Sequence, residues 1–154
     1  MLKRLVAGFT LIELVLLIVI AGILVAFAIP RYADLGADAR RASVQRIGYD
    51  LKSAAAYVHA KAAAGGHDRN PAGTVDANDR RIAIRYGYPD IRSINAAAQF
   101  SPDVRDYTET VDQAVIPPTV TWNKKGGAAG ACSVTYAEAV PGRPATVLTT
   151  TSGC

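Results

Sequence analysis

Residues 11–29 read LIELVLLIVIAGILVAFAI, nineteen positions in which Glu13 is the one polar side chain. At about 1.5 Å rise per residue, a helix of roughly 20 apolar residues has the length of a bilayer core. Lys3 and Arg4 stand just before the run. Basic residues on that flank stay in the cytoplasm, which puts the C-terminal bulk across the membrane, on the side where cysteines oxidise. Two simpler uses compete with a retained helix that has a further role. One is a secretory signal cut at the small-x-small site Ala26-Phe27-Ala28. The other is a plain single-pass anchor. Glu13 weighs against both, because a carboxylate inside a spanning helix costs about 2.5–3.5 kcal/mol and normally has a partner.

The rest of the composition narrows the choice. The chain has 154 residues, 50% hydrophobic and 19% charged, which suits one domain and excludes a disordered charged tail. Net charge is +4, and Lys3 and Arg4 supply two of the 17 basic residues against 13 acidic ones. A body that close to neutral gives no electrostatic case for a dedicated nucleic-acid binder. Aromatics are 7%, with a single Trp, two His (His59, His67) and two Cys (Cys132, Cys154). That is thin equipment for an enzyme, and neither a catalytic residue, a cofactor nor a metal site is expected.

Outward from the apolar run, Pro30 follows directly and is expected to kink the helix without ending it. Beyond it Val44, Ile47, Leu51, Ala54 or Ala55, Val58 and Ala62 recur at spacings of three and four, the period of an amphipathic helix. Asp34, Asp38, Arg40, Arg41, Arg46, Asp50, Lys52 and Lys61 occupy its other sides, and Gly65-Gly66 stops it. Residues 67–80 read as a polar loop. Ile82, Ile84 and Tyr86 alternate as a short strand running into Gly87-Tyr88-Pro89, and Ile91–Phe100 reads as a short helix. Ser101-Pro102-Asp103 has the form of another helix start, with Ser101 as cap. Thr119–Trp122, Ser133–Tyr136 and Thr146–Thr149 are β-rich, and three such strands make an antiparallel sheet against the amphipathic helix. Cys132 and Cys154 close a loop of 23 residues. In an exported domain a structural disulfide is the expected use, worth about 3 kcal/mol by chain entropy. A redox or metal role needs more ligands.

The N-terminal residues also carry a resemblance. Gly8-Phe9-Thr10-Leu11-Ile12-Glu13, after the basic leader Met1–Ala7 and before the apolar helix, resembles the class III signal of type IV pilins. The resemblance implies that a prepilin peptidase cuts after Gly8 and methylates the new N-terminus at Phe9. Glu13 then falls at the fifth mature position, where the family has its glutamate, and is expected to set subunit register during assembly. Ala21, Gly22, Ala26 and Ala28 allow close helix approach. The implied fold is α+β: a leader (1–8), a transmembrane and polymerisation helix (9–30), an amphipathic helix (31–64) and a globular head (65–154). The head holds a small antiparallel sheet and a disulfide-bounded C-terminal region, 132–154. Ala39-Arg40, Tyr86-Gly87-Tyr88-Pro89, Trp122, Cys132 with Tyr136, and Ser152-Gly153-Cys154 are similar to the mannose-sensitive haemagglutinin pilins.

By resemblance the chain is a structural subunit, a major pilin of a type IVa pilus used for surface attachment or motility. It is stored single-pass in the inner membrane and then polymerised into an extracellular homopolymer. Implied partners are an inner-membrane assembly platform, assembly ATPases, a secretin, and a host or abiotic surface. A type II secretion pseudopilin shares the same N-terminal residues. A minor tip pilin that acts as an adhesin or binds DNA is the third reading.

Other motifs carry less. Gly126-Gly127-Ala128-Ala129-Gly130 lacks the Lys-Ser/Thr ending of a phosphate loop and reads as a turn. Asp76 and Asn78 hint at a calcium loop, but position 80 is Arg and no Glu closes it. His59 reads as a packed or solvated helix residue and His67 as a loop residue. Arg40-Arg41 and Lys124-Lys125 are the phosphate contacts that a DNA-uptake pilin would use. Asp34, Asp38, Asp103, Asp106 and Asp112 make charge matching between subunits the simpler use. Tyr32, Tyr49 and Tyr57 read as packing residues rather than a conduction path.

Overall fold

The computed structural model describes residues 9–103 and 105–154, and the side chains of 28–34 lie outside the description. The chain forms a 54-residue helix α1 (Leu11–Ala64) followed by β-strands and one short helix. Two compact units divide it, residues 1–36 and 37–154. The helical assignment of α1 continues through position 30, so the proline does not end the helix. The expected kink at Pro30 falls on residues whose side chains lie outside the description.

Thr10 caps the start of α1. Its hydroxyl oxygen accepts the Glu13 N–H at 3.4 Å, and the hydroxyl donates to the Glu13 carboxylate at 3.5 Å. The spacing is that of a Thr-x-x-Glu capping box, with the hydroxyl standing where the box uses the cap's own N–H. At the other end Gly66 takes φ +71°. The His67 N–H then reaches the Ala62 carbonyl at 2.8 Å, and the Gly66 N–H reaches Ala63 at 3.0 Å. This is a Schellman stop, which needs a left-handed residue that glycine supplies cheaply.

In the second unit, every apolar position picked out by the helical period is buried. Val44, Leu51, Val58 and Ala62 are fully enclosed, with Ile47, Ala54 and Ala55 beside them. They face two sheets. The first has order β1-β2-β3, from β1 (Gly73–Ala77), β2 (Arg80–Arg85) and β3 (Tyr88–Pro89). Asn78 and Asp79 join β1 to β2, and Tyr86 and Gly87 join β2 to β3. All four have positive φ (52°, 56°, 47° and 80°), the signature of tight two-residue hairpin turns. The loop expected over 67–80 is therefore corrected: it contains β1, and Asn78-Asp79 is a turn and not a calcium loop.

The helix expected over Ile91–Phe100 contracts to one turn, α2 (Ile94–Ala97). The helix expected to start at Ser101 does not form. Asp103 instead accepts the Arg105 N–H at 2.8 Å in a side-chain-closed turn that feeds β4 (Tyr107–Asp112), a strand with no counterpart in the sequence reading. The second sheet is an antiparallel meander β4-β5-β6-β7, with β5 (Thr119–Lys124), β6 (Ser133–Ala137) and β7 (Thr146–Thr150). The three expected strands are β5, β6 and β7.

Trp122 and Tyr136 are the largest fully buried side chains and fill the space between this sheet and α1. Fully burying side chains of this kind stabilises by roughly 1.5–3 kcal/mol each. Phe100 meets the Trp122 ring edge-on at 5.9 Å, and the Tyr107 hydroxyl bonds Ser43 of α1 at 2.6 Å. The fold is α+β, a long N-terminal helix on antiparallel sheets with a C-terminal disulfide, as expected of a type IV pilin.

Candidate functional site

The unusual surface belongs to the first unit. From Phe9 to Phe27 the large apolar side chains are exposed on every side of α1, from 45% at Val15 to 80% at Leu11. A helix apolar all round has no solvent face, and water is the wrong neighbour for it. At 1.5–3 kcal/mol per side chain, covering this segment releases tens of kcal/mol. Among the described residues no helix is long and apolar enough to cross a membrane. The described side chains of the apolar run stop at Phe27, short of the roughly 20 residues a span needs.

Glu13 is exposed in the first turn of α1, where the helix dipole favours a carboxylate. Its side-chain and N–H hydrogen bonds among the described residues include those to Thr10. Phe9 stands four positions before it, 62% exposed. Gly8 lies outside the described residues. A Cβ added at Gly22 would meet nothing within 4 Å, so nothing inside this chain requires a glycine there.

In the second unit the C-terminal residues are tied back to α1. Cys132 and Cys154 form the disulfide, Cα atoms 4.8 Å apart. The Arg40 Nε–H donates to the Cys154 carbonyl at 2.6 Å. The Gly126–Gly130 turn serves this closure. A Cβ at Gly127 would sit 2.5 Å from the Cys132 Cβ and 3.1 Å from the Gly153 carbonyl, while the Ala128 N–H donates to that carbonyl at 2.8 Å.

The basic pairs are largely used within the chain. Arg41 pairs with Asp38 at 3.1 Å, and Lys124 pairs with Asp106 at 3.4 Å and lies 4.5 Å over the Tyr107 ring. Within the chain Arg40, Arg41 and Lys124 meet Cys154, Asp38 and Asp106. In the single chain Tyr49 is 69% exposed and Tyr57 42%, with the Lys61 ammonium 5.5 Å from the Tyr57 ring centre, and the Tyr32 side chain lies outside the description. His59 stacks flat on Tyr88 at 4.1 Å, and His67 meets the Asn70 amide at 3.2 Å.

Two carboxylates have roles that sequence reasoning missed. Glu138 is 6% exposed; it accepts the Ile91 N–H at 3.1 Å and pairs with Arg85 at 3.0 Å, which holds the three-stranded sheet to the end of β6. Beside it the Tyr136 hydroxyl donates to the Pro89 carbonyl at 2.6 Å. Burial, reinforced by the charges of Glu138 and Asp90, pushes the Tyr136 phenol well above its ordinary range. Glu109 accepts both the Trp122 indole N–H at 2.9 Å and the Asn95 amide at 3.2 Å. No signal in the sequence links these acids to donors so far along the chain. These contacts hold the head together.

Over 47 residues the chain is 53% identical to the type IV narrow pilus major component PilA5 of Thermus thermophilus. The matched stretch is 30% of this chain and 40% of that protein, so the chain spans less than half the length of the curated relative it matches. No family model matches the chain, and no solved structure matches it.

Proposed function

We propose that the chain is a type IV pilin, a structural subunit that polymerises through its N-terminal helix into an extracellular filament. One observation carries the reading: an apolar segment of α1 exposed on all sides, with a carboxylate in its first turn, attached to a head whose own core is complete. Lipid covers that segment before assembly, and neighbouring helices cover it afterwards. The partial identity to a pilus major component supports the same reading.

Within the proposal, the prepilin peptidase cuts after Gly8 and methylates Phe9. Lys3 and Arg4 hold the leader in the cytoplasm while residues 9–30 span the inner membrane. Glu13 of one subunit then meets the amine of Phe9 in a neighbour. An ion pair in apolar surroundings is poor evidence for stability but a good register device, because a mismatched subunit leaves a charge unpaired. An assembly platform, ATPases and a secretin complete the system, with attachment or motility as its output.

Intact mass and N-terminal peptide analysis of the native protein tests this. A start at Phe9 with one extra methyl group is expected, and a start at Ile29 would remove the segment on which the proposal rests. Loss of surface fibres on gene deletion, rather than blocked exoprotein release, separates the pilus from the type II pseudopilus. High copy number separates a major pilin from a minor tip pilin.

A further inference from the structure

Between the β1–β2 turn and α2 the head carries a cavity of about 640 Å³ whose lining includes Asn78, Arg80, Arg92, Asn95, Gln99 and Ser101. No Asp or Glu lines it. Ion pairs elsewhere in this unit occupy Arg41, Arg46, Arg69, Arg81 and Arg85, whereas neither the Arg80 nor the Arg92 guanidinium has an ion pair or side-chain hydrogen bond among the described residues. Two free guanidiniums on a cavity without acids call for an anion. A guanidinium fork matches a carboxylate or a phosphate in two parallel hydrogen bonds.

The remaining lining decides between those anions. Amide and hydroxyl side chains both donate and accept, which suits ligand hydroxyls. The Asn95 Nδ2 donates to Glu109 at 3.2 Å, and this fixes which way the amide faces. Its Oδ1 is left buried with no partner. A buried acceptor without a donor is costly, so a ligand that brings one gains there. A phosphodiester has no hydrogen to offer, whereas a sugar hydroxyl has one.

We propose that this cavity binds an acidic, hydroxyl-rich saccharide of the uronate class. Arg80 and Arg92 hold the carboxylates, and Asn78, Asn95 and Ser101 hold the ring hydroxyls. The site lies wholly in the head, so its failure leaves the filament reading untouched.

The test uses the full chain in detergent micelles, followed by amide and guanidinium NMR signals. The probes are a galacturonate hexamer, maltohexaose as a neutral hexamer, and a short DNA duplex. The expected result is a saturable shift of the Asn78, Asn95 and Gln99 side-chain amides with the galacturonate alone. The double variant Arg80→Gln/Arg92→Gln weakens binding about tenfold or more, and Arg81→Gln, whose guanidinium pairs with Asp76 at 3.7 Å, leaves it unchanged. If the double variant does not fold, Asn95→Asp puts a negative charge in the lining and should weaken binding as much. No shift with galacturonate at millimolar concentration overturns the proposal. So does equal binding of maltohexaose, or tighter binding of the duplex through the same residues.

Discussion

Glu138 offers the sharpest check on how the head is held together. Replacing it with Ala strips the Ile91 N–H of its acceptor, and a buried unpaired amide costs about 1–3 kcal/mol. The Arg85 pair is lost as well. The Arg85 side chain is 54% exposed, so solvent screens that partner and its share is about 0.5–1 kcal/mol. Glu138→Ala is therefore expected to cost about 3 kcal/mol, or a fall in Tm of about 10 °C for a chain of this size. Glu138→Gln keeps an acceptor for Ile91 and loses only the charge, so it should cost about 1 kcal/mol. Thermal unfolding of the full chain in detergent, followed by near-ultraviolet circular dichroism of Trp122, reads both. Equal losses for Ala and Gln would mean that the charge, and not the amide bond, is the strut. No loss for either would refute the reasoning.

Opening the Cys132–Cys154 loop by Cys132→Ser/Cys154→Ser should cost about 3 kcal/mol in the same assay, with the N-terminal half of α1 unaffected. Gly127→Ala presses a methyl onto the Cys132 Cβ and should cost about 1–3 kcal/mol by overpacking; an unchanged Tm would show that the turn gives way. The Tyr136 phenol is held protonated in the fold well above its ordinary value of 10.0. Its stabilisation is full below pH 10 and is lost above it, at about 1.4 kcal/mol per pH unit. Tyr136→Phe should flatten that alkaline slope, and an equal slope in both proteins would count against the assignment. Glu13→Leu should leave head stability unchanged while reducing filament yield at least tenfold by shearing and quantitation; normal filaments would end the register proposal.

The legible parts of the fold were those in which one segment carries its own signal. The seven buried positions of α1 from Val44 to Ala62 follow from the helical period, and β5, β6 and β7 follow from β-branched runs between glycines and prolines. The misread parts had competing local signals. Ser101-Pro102 resembles a helix cap, yet the alternation Tyr107-Thr108-Glu109-Thr110 just beyond it prevails once Tyr107 reaches Ser43. Gly73–Ala77 holds one large apolar residue, Val75, too few to show a period, although Asn78-Asp79 marks the hairpin. Glu13 reads in the sequence as an unpartnered carboxylate in an apolar run, and its bonds to Thr10 at the helix start show only in the fold. The struts Glu109 and Glu138, and the cavity at Arg80 and Arg92, join residues that only the folded chain brings together.

Each strand pairs only with its neighbour in sequence, β1 with β2 with β3 and β4 with β5 with β6 with β7. Such local pairing keeps contact order low, so the loops closed in reaching each sheet are short. A chain held at its N-terminal end can therefore zip its sheets as they emerge, without waiting for a distant strand to return. The Arg40–Cys154 bond, the hydrogen bonds of Gly153 to Ala128 and Ala131, and the Cys132–Cys154 closure require the final residues. Oxidation then acts as a late latch on a head already built, and a reducing pulse during folding should delay the latch while leaving the meander to form.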